Sequence, residues 1–305
     1  MSDASGPPTL TRAERARLLG LRALAAGWRA GRGDAISAMV RVRNEEEFLR
    51  AAIESIVDLV DEVVVADNRS SDASPAIIAA LAREHPGKIT VHDYPWAVRR
   101  IGRETHELAA SPATRSSPHL SASFYNWCLE RTTKPFVLKW DGDMIALPSL
   151  SRAIADWRRS RRPILIFRGE NVHPDRTHLL EARCRDRAEL ERRYGVARLP
   201  SWSSDLTHDA AEPRLFPRVL AQYDTAVGFT QSLASPFADS RFKAALRHVE
   251  AEPCFLHMKF CKRDPFANYD EAMARAIAAN AAVGPPIGPA GRSILRRLGA
   301  GETAA

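Results

Sequence analysis

Two aspartates directly follow a strand-like apolar run in the segment VLKWDGDMIALPS, residues 137–149. Asp141 and Asp143 flank Gly142, and carboxylate oxygens at a strand end are suited to hold Mg²⁺ or Mn²⁺ against a phosphorylated ligand. Asp and Gly also favour turns, so a simple turn is the alternative interpretation. The chain has other acid-x-acid pairs, but only this one combines two Asp residues with a predicted strand end.

An alternation of strands and helices predicts how these residues are positioned. Continuous apolar strands that alternate with helices are typical of a parallel sheet in an α/β domain. Apolar runs predict strands at 36–42, 62–66, 88–93, 135–140, 163–167 and 253–260. Helical periodicity predicts helices at 44–60, 74–84 (with Ser74 as the N-cap), 121–132, 183–194 and 270–282.

Three polar clusters fall at the carboxyl ends of predicted strands. They lie at residues 41–45, 67–72 and 141–143. Ligands of parallel α/β sheets bind beyond the carboxyl ends of the strands. We therefore expect the three clusters to meet along one edge of the sheet, and this convergence is stronger evidence for a site than any single motif.

The segment AMVRVRNEEEFLRAAIESIVDLVDEVVVADNRSSDAS, followed by KWDGDM, resembles the family 2 glycosyltransferases of GT-A fold. The resemblance covers about residues 35–150. It implies a mostly parallel, Rossmann-like sheet flanked by helices, with a less regular C-terminal half that receives the acceptor. It also implies transfer of a sugar from a nucleoside-diphosphate donor to an acceptor hydroxyl, with inversion.

By the same resemblance, a nucleoside pocket is lined by the start of the first strand–helix connection and by Asp67, which would accept a hydrogen bond from the base. The connection residues concerned are Val42, Arg43, Asn44 and Glu45. One departure from the family pattern is Arg69, which stands where a small residue is common; it either alters the local turn or adds a cation that faces phosphate.

The resemblance further implies that Asp141 and Asp143 handle the ribose and a Mn²⁺ or Mg²⁺ ion, with Asp143 the more direct ligand. His257, in the segment FLHMKF, would complete the metal site; a core histidine satisfied by the protein is the alternative. The other implied donor-site residues are Lys139, Gly142 and Lys259, with Arg99 and Arg100 as further cations.

The catalytic base of an inverting transfer is a carboxylate that takes the proton of the acceptor hydroxyl. Asp224 and Glu212 are the first candidates, ahead of Asp205 and Asp209. Some relatives carry a His-Glu pair downstream of an Arg-Leu-Phe segment, where this chain has Thr230-Gln231. The base therefore stays open at this point.

Composition narrows the partners without choosing among them. The net charge of +7 fits an anionic membrane surface, a phosphorylated small molecule or nucleic acid. Aromatic residues make up only 7% of the chain, which disfavours a nucleic-acid binder. The scattered cysteines form no metal-binding motif. The absence of a long apolar run predicts a cytoplasmic protein, and its basic ends favour peripheral contact with the inner membrane face, where a glycan or lipid-linked acceptor would be presented.

The chain divides into four predicted parts. They are a peripheral helix at 1–34, a nucleotide-sugar-binding half at 35–150, an acceptor half at 151–282, and a Pro/Gly linker with a basic tail at 283–305. The long loop at 94–120 is predicted to cover the donor or to shape the acceptor site.

Two rival functions remain. A non-catalytic domain that binds nucleotide or glycan would also carry these motifs. A sugar nucleotidyltransferase would carry a Gly-rich loop after the first strand, where this chain has RVRNEEE.

Overall fold

A computed structural model gives the fold of this chain. It describes residues 33–110, 113–114, 117–160, 162, 164–183, 208–213 and 247–302, with scattered positions between 12 and 30 and at 189, 192 and 193. Most of the predicted N-terminal helix and most of the predicted helix at 183–194 lie outside the described residues.

Strands and helices alternate through the first half of the chain, as predicted. The strands are β1 (Ile36–Val42), β2 (Glu62–Asp67), β3 (Ile89–Asp93), β4 (Phe136–Asp141), β5 (Met144–Ala146), β6 (Ile164–Asn171), β7 (His178–Ala182), β8 (His208–Pro213), β9 (Arg247–His257) and β10 (Ala281–Pro286). The helices are α1 (Leu49–Glu54), α2 (Ser74–Glu84), α3 (Arg103–Ala110), α4 (Ser121–Leu129), α5 (Pro148–Ser160), α6 (Glu271–Asn280) and α7 (Pro289–Glu302).

The main sheet has the order β3-β2-β1-β4-β8-β6-β9-β5. Its first four strands are parallel. The second half is mixed, because β8 runs antiparallel to β4 and β6, while β9 pairs parallel with β6 and antiparallel with β5. This arrangement confirms the predicted α/β fold of GT-A type, and it brings the carboxyl ends of β1, β2 and β4 to one edge.

Alternating residues of β1 are buried in apolar layers on the two faces of the sheet. Ile36 and Val40 pack with Ile53 of α1 in one apolar layer. Met39 packs with Phe124 of α4 in the other. Burial of each large apolar side chain contributes roughly 1.5–3 kcal/mol relative to exposure. These two layers therefore hold the strands in place on both faces of the sheet.

The 94–120 segment, predicted as a loop, contains helix α3 and is fastened at its middle. Ile101 forms a parallel bridge with Tyr269. The Arg103 backbone N–H donates to Asp270 Oδ2 at 2.9 Å, and Asp270 Oδ1 caps α6 by accepting from the Met273 N–H at 2.8 Å. One aspartate thus joins the two helix starts.

The linker predicted from residue 283 differs from the structure. Residues 281–286 form β10, which pairs with β7 in a two-stranded sheet. Pro285 and Pro286 are tolerated there because an edge strand has backbone N–H groups without a ladder partner. The basic tail forms α7, whose Ile294, Leu295 and Leu298 pack on the domain, so that this apolar side is covered.

Two predicted boundaries are also corrected. Helix α1 ends at Glu54 rather than continuing to residue 60, because the Ser55 hydroxyl donates to the Ala52 carbonyl at 2.7 Å. Strand β9 ends at His257 and is followed by a 3₁₀ turn at Lys259–Cys261. The predicted strand at 253–260 would have placed Lys259 on the same strand face as His257. Because the strand ends at His257, Lys259 does not lie on that face.

None of the described helices is both long enough and apolar enough to cross a membrane.

Glu62 provides a test of this fold at the opposite edge of the sheet. Its carboxylate accepts from the Ser37 hydroxyl and from both the N–H and the hydroxyl of Thr133, each at 2.9 Å. Burial alone would raise the pKa of Glu62, but these donors outweigh it and lower the pKa from its ordinary value of 4.5. A carboxyl group with a lowered folded-state pKa stabilises the fold above the unfolded-state pKa, and that contribution is lost as pH falls through the folded-state pKa.

We therefore expect Glu62→Gln to be less stable than the parent at neutral pH and to lose less of its free energy of unfolding below about pH 4.5. Urea titrations at neutral and acidic pH measure both effects. Glu130→Gln, at an exposed position, is the matched control. Equal acid sensitivity of the parent and Glu62→Gln would contradict the assignment.

Candidate functional site

The Asp-Gly-Asp segment ends β4 and leads directly into β5. A Cβ atom built on Gly142 would lie 2.9 Å from Glu45 Cγ and 3.3 Å from Leu49 Cδ1. The first of these distances is shorter than a real Cβ contact, so the glycine lets Glu45 lie across the turn. The glycine thereby allows Glu45 of the first polar cluster to pack against the third.

The first and second polar clusters hold each other through backbone amides. The N–H groups of Asn44, Glu45 and Glu46 donate to Ser70 Oγ, Ser74 Oγ and Asp72 Oδ2 at 2.9, 2.8 and 3.0 Å. Asn44 has a positive φ of 56°, a conformation that Asn tolerates better than most residues. Ser74 was predicted as an N-cap, but its hydroxyl accepts from Glu45 instead of capping α2.

Asp67 and its neighbours form a tight turn after β2. Asp67 accepts from the Ser70 N–H at 3.0 Å and from the Ser70 hydroxyl at 2.5 Å. Asn68 donates to the Trp96 carbonyl at 2.7 Å and accepts from the Val98 N–H at 3.1 Å. Arg69 has a φ of 57° and donates to the Pro95 carbonyl at 3.2 Å. The turn therefore accommodates Arg69 and anchors the start of the 94–120 segment.

Asp141 is held by two cations. Its carboxylate pairs with Arg41 and lies 2.8 Å from Lys139 Nζ. Arg41 Cζ lies 3.4 Å from the centroid of the Tyr125 ring, a cation–π contact. Burial would raise the pKa of Asp141, but Arg41 and Lys139 outweigh it and hold the pKa well below its usual range. Asp141 is thus an ionised and already neutralised carboxylate.

Asp143 is the centre of a second charged group. Its Oδ1 lies 3.1 Å from His257 Nε2, and its Oδ2 lies 2.7 Å from Lys262 Nζ. Lys262 Nζ also lies 3.0 and 2.9 Å from the two carboxylate oxygens of Glu45. The side chain of Asp143 is 5% exposed, and those of Glu45 and Lys262 are each 9% exposed. The group is therefore buried, and its charges interact strongly.

The electrostatics of this group favour an ionised Asp143. Burial would raise its pKa, but Lys262 and His257 outweigh burial and keep it well below its usual range. Burial would lower the pKa of Lys262, but Asp143 and Glu45 raise it above its ordinary value. Burial and the Asp143 carboxylate raise the pKa of Glu45, and Lys262 opposes that rise.

Asn171 orients the ring of His257. Its Oδ1 lies 2.9 Å from His257 Nδ1, and an Nδ1–H that donates to this oxygen leaves Nε2 without a proton in the neutral ring. The Nε2 lone pair then faces a carboxylate oxygen, which a shared divalent cation satisfies, because adjacent ligands about 2.1 Å from one ion lie about 3 Å apart. A protonated imidazolium satisfies the same contact. Asp143 and His257 thus fit two positions of a metal site.

The full predicted metal set is not assembled. Asp141 turns to Arg41 and Lys139, so the structure joins only Asp143 and His257 of the three predicted ligands. Within the described part of the chain, no three His, Cys, Asp or Glu side chains form a group that could hold a metal ion. Lys262 occupies the position between Asp143 and Glu45 where a further cation would bind.

The remaining predicted residues have separate outcomes. Lys259 pairs with the Tyr269 hydroxyl, not with the charged group around Asp143. Arg43 donates to the Val98 carbonyl and so supports the turn around Asn68. The backbone of Glu212 pairs with Val137, four residues before Asp141 on β4. Asp224 lies outside the described residues.

Sequence reasoning missed Lys262 and Asn171. Lys262 follows the 3₁₀ turn after β9, and the segment CKRD carries no periodic signal. Asn171 ends β6, opposite His257 in the β6–β9 register. Only the parallel pairing of β6 with β9 places Asn171 beside His257. That pairing depends on long-range contacts, which the local sequence does not reveal.

Comparison with known proteins gives one family match. Residues 37–101 match the family described as Glycosyl transferase family 2. This match covers β1, β2, β3 and the two polar clusters at the ends of β1 and β2. It confirms the resemblance predicted for this segment and the enzyme class, glycosyltransferase, that the family name states.

Solved structures resemble the chain more distantly. Glucosyl-3-phosphoglycerate synthase from Mycobacterium tuberculosis, in complex with phosphoglyceric acid, is 17% identical with a TM-score of 0.43, over 90% of this chain and 84% of that one. TarS 1–349 of S. aureus in complex with UDP is 14% identical with a TM-score of 0.41, over 79% and 68%. The mannosyltransferase PcManGT from Pyrobaculum calidifontis in complex with GDP-Man and Mn²⁺ is 17% identical with a TM-score of 0.37, over 95% and 85%. These likenesses are too low to transfer an activity. No curated protein matches the chain.

The pairing of Arg41 with Asp141 can be tested by a double-mutant cycle. Their side chains are 16% and 22% exposed, so Arg41→Met leaves a mostly buried carboxylate with Lys139 as its remaining partner. We expect a loss of about 1–3 kcal/mol in the free energy of unfolding. Asp141→Asn should also destabilise, and the double variant should lose less than the sum, with a coupling of about 1 kcal/mol.

Urea unfolding of the four proteins measures this coupling. Arg50→Met with Glu84→Gln is the matched control pair, because both of those side chains are more than 40% exposed and their coupling should be small. Strict additivity at Arg41 and Asp141 would contradict the pairing.

Proposed function

From the match of residues 37–101 to the family described as Glycosyl transferase family 2, we propose that the protein transfers a sugar from a nucleoside-diphosphate donor to an acceptor hydroxyl. The single observation that carries the metal-dependent form of this proposal is the pair formed by Asp143 Oδ1 and His257 Nε2. These atoms lie 3.1 Å apart at the sheet edge, with Asn171 orienting the ring.

In the proposed reaction, the bond between the sugar and the diphosphate breaks and negative charge grows on the leaving diphosphate. Asp143 and His257 would hold Mn²⁺ or Mg²⁺, which supplies Lewis-acid stabilisation of that charge. Arg41 and Lys139 keep Asp141 ionised, so that it can accept a hydrogen bond from a ribose hydroxyl without competing for the ion.

The nucleoside would lie along the residues that the motif match covers. We assign it to Asp67 and the 42–45 segment, because their backbone conformation is fixed by the contacts between the 44–46 amides and residues 70–74. A pocket that is rigid before binding loses less entropy when the donor is bound. Asp67 retains the lone pairs to accept from the base, since Ser70 uses only part of them.

Inversion at the sugar carbon would be served by a carboxylate from the second half of the chain, with Asp224 and Glu212 as the candidates. The acceptor is proposed to be a glycan or a lipid-linked sugar presented to a basic protein of net charge +7 at an anionic membrane surface. A cytoplasmic protein with peripheral membrane contact fits that acceptor.

Nucleotide binding tests the proposal most directly. A ligand that binds the folded state raises the unfolding midpoint. We expect UDP, GDP, CDP or dTDP to raise it with Mn²⁺ or Mg²⁺ and to lose most of that effect in EDTA and in Asp143→Asn. Asp58→Asn, at an exposed position, is the control. The proposal fails if none of the four nucleotides shifts the midpoint under any condition. A shift without hydrolysis or transfer of the matching nucleotide sugar would favour the non-catalytic alternative.

Asn171 gives a second test of the same site. Replacing a residue that orients a metal-bound histidine typically costs about 10–100-fold in metal affinity. We expect Asn171→Leu to weaken Mn²⁺ binding by about this factor in the presence of nucleotide, as measured by isothermal titration calorimetry. Asn171→Asp keeps an acceptor for His257 Nδ1–H and should retain most of the affinity. Equal losses in both variants would mean that Asn171 acts only through packing.

A further inference from the structure

Lys262 has no role in the site proposed above, yet it lies between the two buried carboxylates of Asp143 and Glu45. Its ammonium is 2.7 Å from Asp143 Oδ2 and about 3 Å from both oxygens of Glu45. All three side chains are less than 10% exposed. This ammonium therefore occupies a cation position, formed by two carboxylates and lying beside the imidazole of His257.

The backbone around Lys262 is fixed on both sides. On one side, the Met258 N–H donates to the Asp143 carbonyl at 2.8 Å and starts the 3₁₀ turn. On the other, the Arg263 N–H donates to Glu47 Oε1 at 2.9 Å. Asp143 and Glu47 thus hold the two ends of the segment 258–263. These backbone contacts position Lys262 so that its side chain points at the carboxylates.

The carboxylates of Asp141 and Asp143 already have cationic partners without a metal ion. Asp141 is balanced by Arg41 and Lys139, and Lys262 stands between Glu45 and Asp143. Among the described residues, these two groups contain three carboxyl groups and three cationic side chains. A divalent cation that arrives alone adds uncompensated positive charge a few ångströms from the ammonium, which is costly in a poorly hydrated site.

We propose that Lys262 competes with the divalent cation for Asp143 and Glu45, so that the metal binds well only together with the donor diphosphate. This inference rests on the proposed function, because the diphosphate oxygens supply the negative charge that the metal and the ammonium both need. In the nucleotide-free protein, Lys262 holds the two carboxylates in position. When the metal–nucleotide complex is bound, the ammonium is released to face the phosphate oxygens.

The proposal predicts what removal of Lys262 does. In Lys262→Met, Glu45 and Asp143 lose their shared cation while His257 stays in place, so two carboxylates and an imidazole converge. That set matches the ligand chemistry of Mn²⁺. The variant should bind Mn²⁺ without nucleotide.

The test measures Mn²⁺ binding to the full chain by the EPR signal of the free ion. We expect Lys262→Met to bind Mn²⁺ about tenfold more tightly than the parent in the absence of nucleotide. The nucleotide that shifts the parent's unfolding midpoint should raise the parent's Mn²⁺ affinity by a similar factor, and should raise that of Lys262→Met much less, since linkage between two ligands is reciprocal.

Three variants serve as controls. Lys88→Met makes the same substitution just before β3, at the amino edge of the sheet, and should behave as the parent does. Lys262→Arg keeps the charge and should also resemble the parent. Lys262→Gln retains a donor to Asp143 without the charge, so it tests the proposal if Lys262→Met folds poorly; its unfolding midpoint should rise with Mn²⁺ alone.

Several results would overturn the proposal. Equal Mn²⁺ affinities of the parent and Lys262→Met without nucleotide would show that the ammonium does not compete. Nucleotide binding that persists in EDTA, with no Mn²⁺ bound by either protein, would show that Lys262 replaces the metal; the transferase function would survive that result. If no nucleotide binds at all, both the proposed transferase function and the proposed dependence of metal binding on nucleotide fail.

Discussion

The need to neutralise three carboxylates within one sheet edge constrains the rest of this site. An ionised carboxylate that is buried without a partner costs several kcal/mol. Arg41 and Lys139 neutralise Asp141, and Lys262 neutralises Asp143 together with Glu45. The strand order makes this possible, because it brings residues 217 positions apart in sequence into contact.

The edge was largely predictable because its motifs are local. A strand end, a turn residue and a polar cluster can be recognised within a few residues of sequence, and in a parallel sheet the carboxyl ends must converge. The expected meeting of Asp143 with His257 depended on the family resemblance rather than on periodicity. In the structure, Asp143 Oδ1 lies 3.1 Å from His257 Nε2, and the metal role of the two residues stays a prediction.

What sequence could not supply was the choice of partners. Asp141 and Asp143 look equivalent in the motif, yet one faces Arg41 and the other faces Lys262, because Asp141 ends β4 while Asp143 lies beyond it in the turn at Gly142. Lys259 and Lys262 were also indistinguishable by type. The 3₁₀ turn after β9 sends the first toward Tyr269 and the second into the carboxylates. Such choices depend on the conformation of a short turn, which periodicity in the sequence does not specify.

Gly142 shows that the middle letter of an acid-x-acid motif can carry information of its own. Its lack of a side chain leaves room for Glu45, a residue 97 positions earlier in the numbering. In this chain a pattern that allows any residue between the two aspartates would therefore accept sequences in which Glu45 has to move away from the turn. A stricter sequence pattern would require both a glycine between the two aspartates and a glutamate after the first strand. A genome search would then look for this pair of residues rather than for the acid-x-acid motif alone.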